Sequence, residues 1–148
     1  MPLVEVQEHI AAPLDDVWGW INDIERHPSL MEPVISVEVL ERSADHRIAA
    51  WEVELKGCVM RWVEREDLHP DRHRIDYHQI DGDLQTFAGF WQLAPANPSA
   101  TTATLSVEFE IGTPMLSEML NPVAERAIRE NSRSMLRALA AHAVAGVR

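Results

Sequence analysis

The segment VMRWVERE places two carboxyl groups beside a tryptophan at alternate positions: Trp62, Glu64 and Glu66. Alternate residues of a β-strand share one face, so these three side chains are predicted to lie together on the apolar side of the strand. Burial disfavours a charged carboxylate, and a second carboxyl nearby disfavours it further, so the pKa of such a pair should rise. One acid and one base of this kind could drive enolisation, aldol closure and dehydration.

Two alternatives stay open for this segment. The strand could end at the mouth of a cavity, where both glutamates would meet water or an arginine, and carboxylates of that kind are often structural. A register slip of one residue would instead turn Arg61 and Arg65 inward.

We predict a ligand cavity on the apolar side of the sheet, and large aromatic and sulfur-containing side chains are expected to line it. Indole rings on the dry face of a sheet could stack a flat polyphenol or a planar polyene, and methionines would give an adaptable lining. Plain core packing is the ordinary explanation for both sets. The aromatic candidates are Trp51, Trp62, Phe87 and Trp91, and the methionine candidates are Met31, Met60 and Met119.

Four further residues are candidate ligand contacts. Tyr77 and Gln79 share one face of a strand, which could be the inner face. Asn131 is the lone amide on the apolar stripe of the last helix, so it needs a buried partner or a ligand. Val123 is expected in a wall over the cavity mouth, because a kink at Pro122 would let the preceding turns move separately.

The sequence lacks the usual residue spacing of metal sites, cysteine nucleophiles and nucleotide-binding loops. His69 and His73 flank the turn HPDRH, which has no recognised zinc spacing and no paired second cluster. Cys58 has no histidine beside it, and neither a phosphate-binding glycine loop nor a dinucleotide fingerprint is present. His27 could carry a proton near the cavity entrance, although an exposed turn histidine is the commoner outcome. We therefore predict no metal and no cofactor.

Composition limits the class of protein and its partners. The 148 residues are 46% hydrophobic and 25% charged, which is ordinary for one globular domain, here residues 1–148. The formal net charge of −11 argues against nucleic acid as a partner. A single cysteine fits a reducing compartment, and neither a signal peptide nor a ~20-residue apolar span is apparent. We expect a soluble, cytoplasmic protein that does not enter the membrane.

Periodicity predicts an antiparallel α+β fold. Apolar residues alternate through most of the chain, and turn residues separate the alternating runs, so consecutive strands should form a meander. A proline-led short helix and a second short turn follow the first strand, and apolar residues at helical spacing predict one long C-terminal helix over 115–143. The predicted strands span 3–10, 34–42, 47–55, 58–67, 73–80, 84–94 and 101–112.

Four segments carry a resemblance to a known family: APLDDVWGWINDIERHPSL, VMRWVERE, LQTFAGFWQL and TATLSVEFEI. They resemble the START-like helix-grip superfamily, also called SRPBCC, and within it the polyketide cyclase/dehydrase (aromatase/cyclase) proteins. The resemblance implies a START/Bet v 1-like helix-grip fold, in which a curved seven-stranded antiparallel sheet wraps around one long C-terminal helix. Two short helices follow the first strand in that fold.

The resemblance also implies a function. Such a protein would bind a polyketide-like intermediate in an internal cavity and promote its cyclisation and dehydration without a cofactor, in secondary-metabolite biosynthesis such as that of antibiotics. An acyl carrier protein could deliver the intermediate, and the protein would be a monomer or homodimer. Trp62 matches a cavity tryptophan of the family, whereas the family's cavity arginine falls on Glu66. A non-catalytic carrier or sensor of a hydrophobic small molecule is the alternative.

Overall fold

The computed structural model describes residues 2–55, 57–112 and 114–145, with the side chains of 114–119 outside the description. The seven strands are β1 (Leu3–Ile10), β2 (Val34–Arg42), β3 (His46–Leu55), β4 (Cys58–His69), β5 (Arg74–Gly82), β6 (Thr86–Asn97) and β7 (Ala100–Glu110). The helices are α1 (Leu14–Asn22), α2 (His27–Leu30) and α3 (Pro114–Ala145), with 3₁₀ turns at Ile24–Arg26 and Pro70–Arg72.

The strands form one antiparallel sheet in the order β1-β7-β6-β5-β4-β3-β2. Each strand from β2 to β7 pairs with its neighbour in sequence, as short turns between consecutive strands require. The first strand closes the other edge by pairing with β7. This arrangement confirms the predicted meander and the α+β helix-grip architecture.

The β3–β4 hairpin sets the register of the site. Leu55 pairs with Cys58 beside the turn, and this register puts Trp51 opposite Trp62 and Arg47 opposite Glu66. The buried residues of β4 alternate with exposed and half-buried ones along the strand. Arg61 and Arg65 lie on the outer face, where they form ion pairs with Glu52 and Asp67 respectively. The one-residue register slip therefore does not occur.

Local sequence accounts for the start of α1 and for the side that it buries. Pro13 is the N-cap residue, immediately before the helix rather than inside its first turn, and its carbonyl accepts from the N–H groups of Asp16 and Val17. Asp15 and Asp16 occupy the positive end of the helix dipole. Val17 and Ile21 are buried one turn apart, so the helix packs its apolar side onto the sheet.

The long helix α3 crosses the concave face of the sheet. It continues through Pro122, so the proline does not divide it into two helices. Its buried side chains recur at helical spacing, as predicted. They are Ala127, Ile128, Ser132, Met135, Leu136, Leu139 and Ala143. In the described ranges, no helix combines the length and the apolar composition needed to cross a bilayer.

Candidate functional site

A cavity lies between the sheet and the middle of α3. Its volume of about 70 Å³ gives room for several water molecules, so a larger ligand requires wall side chains to move. Strands β3 to β7 supply Trp51, Val53, Leu55, Met60, Trp62, Glu64, Tyr77, Phe87, Trp91, Leu105 and Val107. Helix α3 supplies Ile128, Asn131, Ser132 and Met135. Eight of the residues predicted as site residues from the sequence therefore line this cavity: Trp51, Met60, Trp62, Glu64, Tyr77, Phe87, Trp91 and Asn131.

The aromatic part of the wall follows from strand pairing. Trp51 and Trp62 are directly opposite each other, and their rings are parallel within 3° with centroids 6.0 Å apart. The ring centroid of Phe87 lies 4.9 Å from that of Trp62 and 5.8 Å from that of Tyr77, and the rings are tilted in both pairs. Offset and tilted contacts of this kind are the favoured arrangements of aromatic pairs, so the rings form a continuous apolar surface.

Glu64 is the carboxyl group of this wall. Glu64 is only 4% exposed, and the Trp62 Nε1–H donates a hydrogen bond to the Glu64 Oε1 at 2.6 Å. Burial raises the pKa of Glu64 well above its ordinary value, and the charge of Glu66 and a hydrogen bond with Glu66 raise it further. The Trp62 hydrogen bond and the Arg47 charge act in the opposite direction but do not reverse the shift in the pKa. Glu64 therefore keeps its proton to a higher pH than an exposed glutamate does.

Glu66 does not line the cavity, which corrects the prediction that both glutamates face a ligand. It is buried in an ion pair with Arg47, whose Nε–H donates to the Glu66 Oε1 at 2.6 Å. The Arg47 Nη1–H donates to the carbonyl of Asn22 at 2.7 Å, at the last residue of α1. Arg47 thus ties the glutamate of β4 to the C-terminal end of α1, where a cation also stabilises the helix.

The second oxygen of Glu66 explains why the two glutamates are linked. Across the described residues, the buried Glu66 Oε2 has no hydrogen-bond partner. A hydrogen bond between two carboxyl groups requires a proton, and the raised pKa of Glu64 allows this group to carry it. Glu64 and Glu66 are therefore two adjacent buried carboxyl groups, and Arg47 supplies a positive charge beside them.

His27 is fully buried, so the expectation of an exposed turn histidine is wrong. Its Nε2 bonds the Trp20 carbonyl at 3.1 Å, and its ring lies 5.9 Å from that of Trp51 and 6.1 Å from that of Trp91. Burial lowers the pKa of His27, although the Trp20 hydrogen bond and the Glu66 charge raise it. A neutral ring that donates from Nε2 satisfies a carbonyl in the last turn of α1, which has no intrahelical partner.

Three predicted ligand contacts lie elsewhere. Met31 is buried directly after α2, where its backbone bonds His27 and Val34, so it belongs to the core below the short helices. Gln79 donates from Nε2 to the Leu84 carbonyl at 2.6 Å and ties the β5–β6 turn. Val123 is 64% exposed on α3, so it forms no cavity wall. The side chain of Met119 lies outside the described residues.

Comparison with known sequences decides the family. Residues 10–136 match the sequence profile described as "Polyketide cyclase / dehydrase and lipid transport". The chain belongs to this family. The match covers strands β2 to β7, the last residue of β1, both short helices and most of α3.

Individual relatives of this family member differ in their described activities. The granaticin polyketide synthase bifunctional cyclase/dehydratase of Streptomyces violaceoruber is 28% identical across 98% of this chain, which spans 46% of that protein. The ribosome association toxin RatA of Vibrio cholerae is 28% identical across 69% of this chain and 70% of its own length. The crystal structure of the Zhui aromatase/cyclase from Streptomyces sp. R1128 superposes with a TM-score of 0.88 at 26% identity, covering 99% of this chain and 96% of that one.

This polyketide cyclase family member places its buried cation on a different strand from the one that the resemblance implies. Position 66 holds a glutamate, and the arginine directly opposite it in the β3–β4 register is Arg47. Arg47 is not part of the cavity wall, and its charge is already paired with Glu66. Among the described residues, Glu64 is consequently the acidic side chain that the cavity wall presents to a ligand, and the wall contains no lysine or arginine.

Metal chemistry finds no support in the described ranges, where no three His, Cys, Asp or Glu residues form a group that could hold a metal ion. His69 and His73, which flank one turn in the sequence, have separate partners. His69 bonds Asp76 at 3.2 Å, and His73 bonds Asp15 at 3.1 Å.

The hydrogen bond of the Tyr77 hydroxyl depends on a glycine in the neighbouring strand. Its hydroxyl donates to the Ser106 carbonyl at 2.8 Å across β6, and burial raises its pKa well above 10.0, so the hydroxyl keeps its proton. Gly89 lies between the two residues. A Cβ at Gly89 would stand 1.8 Å from the Ser106 oxygen and 2.7 Å from the Tyr77 hydroxyl.

Replacing Gly89 with alanine is therefore expected to lower the free energy of unfolding by about 1–3 kcal/mol, because a backbone atom must move to admit the methyl group. Urea unfolding of the variant measures this loss. Gly19→Ala is the matched control, since a Cβ there meets no atom within 4 Å and the helix α1 gains propensity. Equal stabilities for the two variants would contradict the close approach at Gly89.

The raised pKa of Glu64 predicts a pH dependence of stability. Above the ordinary value of 4.5, the folded protein retains a proton that the unfolded chain has released. The free energy of unfolding should therefore fall as the pH rises from 4.5 to the folded pKa, by up to about 1.4 kcal/mol per pH unit. Glu64→Gln removes this titration, so the variant should gain stability relative to the wild type as the pH rises.

The comparison between wild type and Glu64→Gln also separates this effect from that of His27. The lowered pKa of His27 acts with the opposite sign, because its contribution to stability is lost as the pH falls below the ordinary value of 6.5. That contribution is common to both proteins and cancels in the difference. A difference that stays constant between pH 4.5 and pH 8 would show that the Glu64 pKa is not raised.

Proposed function

We propose that this protein binds a hydrophobic, polyketide-like intermediate in the cavity and promotes its cyclisation and dehydration. The observation that carries the proposal is Glu64, a buried carboxyl group with a raised pKa in a wall of aromatic side chains. The aromatic rings would hold a flat chain in a folded shape, which supplies the proximity that ring closure needs. The family membership and the cyclase/dehydratase relatives support the same reaction class.

Glu64 would serve as both acid and base in the dehydration step. Its proton is transferred to the hydroxyl oxygen as the C–O bond breaks, and the hydroxyl leaves as water. The resulting carboxylate then takes the proton from the adjacent carbon, whose electron pair forms the new double bond. The starting protonation state is thereby restored, and no other reactant is required.

Glu66 and Arg47 would position this group without contacting the substrate. The charge of Glu66 favours the protonated form of Glu64, and Arg47 prevents the buried pair from carrying two uncompensated negative charges. Ring closure by aldol addition would use the same site: the Glu64 proton moves to the carbonyl oxygen as the carbon–carbon bond forms, and the enol hydroxyl of the attacking partner becomes a carbonyl and returns its proton to the Glu64 carboxylate.

The test is a comparison of products formed from a freshly generated poly-β-ketone with and without the protein. Mass spectrometry and chromatography should show one cyclised, dehydrated product in place of the mixture that forms spontaneously. An unchanged mixture, with tight binding of the intermediate, would favour the carrier or sensor alternative. The family description also includes lipid transport, so that alternative has its own support.

The similarity to RatA does not favour ribosome binding by this chain. RNA affinity depends on lysine and arginine near phosphates, and this chain has a net charge of −11. Delivery of the intermediate by an acyl carrier protein, a cytoplasmic location and a monomeric or dimeric state stay predictions.

A further inference from the structure

We propose that the cavity selects neutral, flat ligands that carry an enol or phenol hydroxyl and excludes ligands that carry a carboxylate. The proposal rests on the proposed function for the presence of a hydrophobic ligand, and it adds the charge and the polar group of that ligand. It is carried by Glu64 in a largely apolar wall and by the Glu66–Arg47 ion pair, which is buried outside that wall.

The charges of this cluster already balance before a ligand enters. Arg47 is 1% exposed, and two of its nitrogens are bonded to Glu66 and to the Asn22 carbonyl. Arg47 is also absent from the cavity wall. The charges of Arg47 and Glu66 cancel in their ion pair, and burial favours the neutral form of Glu64. A ligand carboxylate would therefore add an uncompensated negative charge in a buried site.

The wall itself offers no cation within the described part of the chain. The polar side chains that line the cavity are Glu64, Tyr77, Asn131 and Ser132, together with the indole nitrogens of its tryptophans. Tyr77 keeps its proton and already donates it to the Ser106 carbonyl. A carboxylate at this depth would meet the Glu64 carboxyl without an arginine or lysine to pair with it.

A hydroxyl group suits the same position. The Glu64 carboxyl accepts from Trp62 at one oxygen and is linked to Glu66, and carboxyl oxygens have lone pairs for a further donor. A ligand enol or phenol can donate to such an oxygen and remain neutral. An apolar ligand of the same shape would leave that hydrogen bond unmade, so it should bind more weakly than the hydroxyl compound.

The experiment compares three one-ring probes of matched size, para-cresol, para-toluate and para-xylene, by calorimetry or by the shifts of the indole N–H signals at pH 7.5. The wild type should bind para-cresol about 100-fold more tightly than para-toluate, because a buried carboxylate with no cation beside it loses its hydration without compensation. Binding of para-xylene should fall between the two. Affinities for para-cresol and para-toluate within threefold of each other would overturn the proposal, and so would binding of none of the three.

The double variant Glu64→Gln/Glu66→Gln sharpens the test, because Arg47 then has neither of these carboxylates to balance its charge. The variant should bind para-toluate at least about tenfold more tightly than the wild type does, with little change for para-cresol. An unchanged preference in a folded variant would contradict the charge-balance argument. If the variant does not fold, the wild-type comparison alone decides the outcome. Selectivity without any effect on polyketide products would refute the proposed cyclase function while supporting this inference.

Discussion

Replacing Glu64 with glutamine is expected to lower the rate of product formation by ~10²–10⁴-fold, the range that removal of a general acid–base group produces. Glutamine keeps the shape of the side chain and can still accept from Trp62, but it neither releases nor takes up a proton. Ligand affinity should change by only a few fold, because the aromatic wall is intact. Single-turnover product analysis measures the rate, and quenching of tryptophan fluorescence measures the affinity.

Two variants control this experiment. Glu54→Gln changes an exposed glutamate of β3 outside the cavity wall and should leave the rate unchanged. Glu66→Gln should lower the rate less than Glu64→Gln, because Glu66 acts through the Glu64 pKa rather than on the substrate. If product formation is unchanged in both Glu64→Gln and Glu66→Gln, the acid–base role is abandoned and the carrier function is favoured.

The strand face of the candidate site could be predicted because it depends on local periodicity. Trp62, Glu64 and Glu66 alternate along β4, and the inward face of a strand is set by the positions of its neighbouring apolar residues. The short β3–β4 turn then fixes which residues of the two strands are opposite each other. The same reasoning could have found Arg47, which shares the parity of Trp51 and lies opposite Glu66.

The separate roles of the two glutamates could not be predicted in this way. Both lie on the inner face, but Glu66 lies beside the C-terminal end of α1 and Glu64 beside the cavity. That difference depends on where a helix far away in sequence packs against the curved sheet. The burial of His27 could not be predicted for the same reason, since it depends on how α2 packs its first residue against the Trp20 carbonyl and the rings of Trp51 and Trp91.

The predictions for Met31 and Val123 were wrong for a different reason. Apolar periodicity identifies a buried face, but it does not say which buried residues border a cavity and which fill the core. Met31 lies below the short helices in the packed core. Val123 continues the apolar pattern of α3 but lies at a point where the helix side is open to solvent. Distinguishing these cases requires the relative positions of α3 and the sheet.

Replacing Arg47 with methionine is expected to lower the free energy of unfolding by about 3–5 kcal/mol, because it leaves the Glu66 charge buried without a partner. The variant also loses the hydrogen bond to the Asn22 carbonyl, so the end of α1 should become less stable. Urea unfolding at pH 7 measures the first effect, and hydrogen exchange of the residues in α1 measures the second. A loss below about 1 kcal/mol would mean that the ion pair contributes little to stability.

The double variant Arg47→Met/Glu66→Met separates the ion pair from simple packing. Both charges are removed together, so no unpaired charge stays buried, and stability should recover most of the loss seen in Arg47→Met. The Glu64 pKa should fall at the same time, since the charge and hydrogen bond of Glu66 that raise it are gone. A double variant as stable as the wild type but slower in product formation would show that Arg47 and Glu66 serve to set the protonation of Glu64.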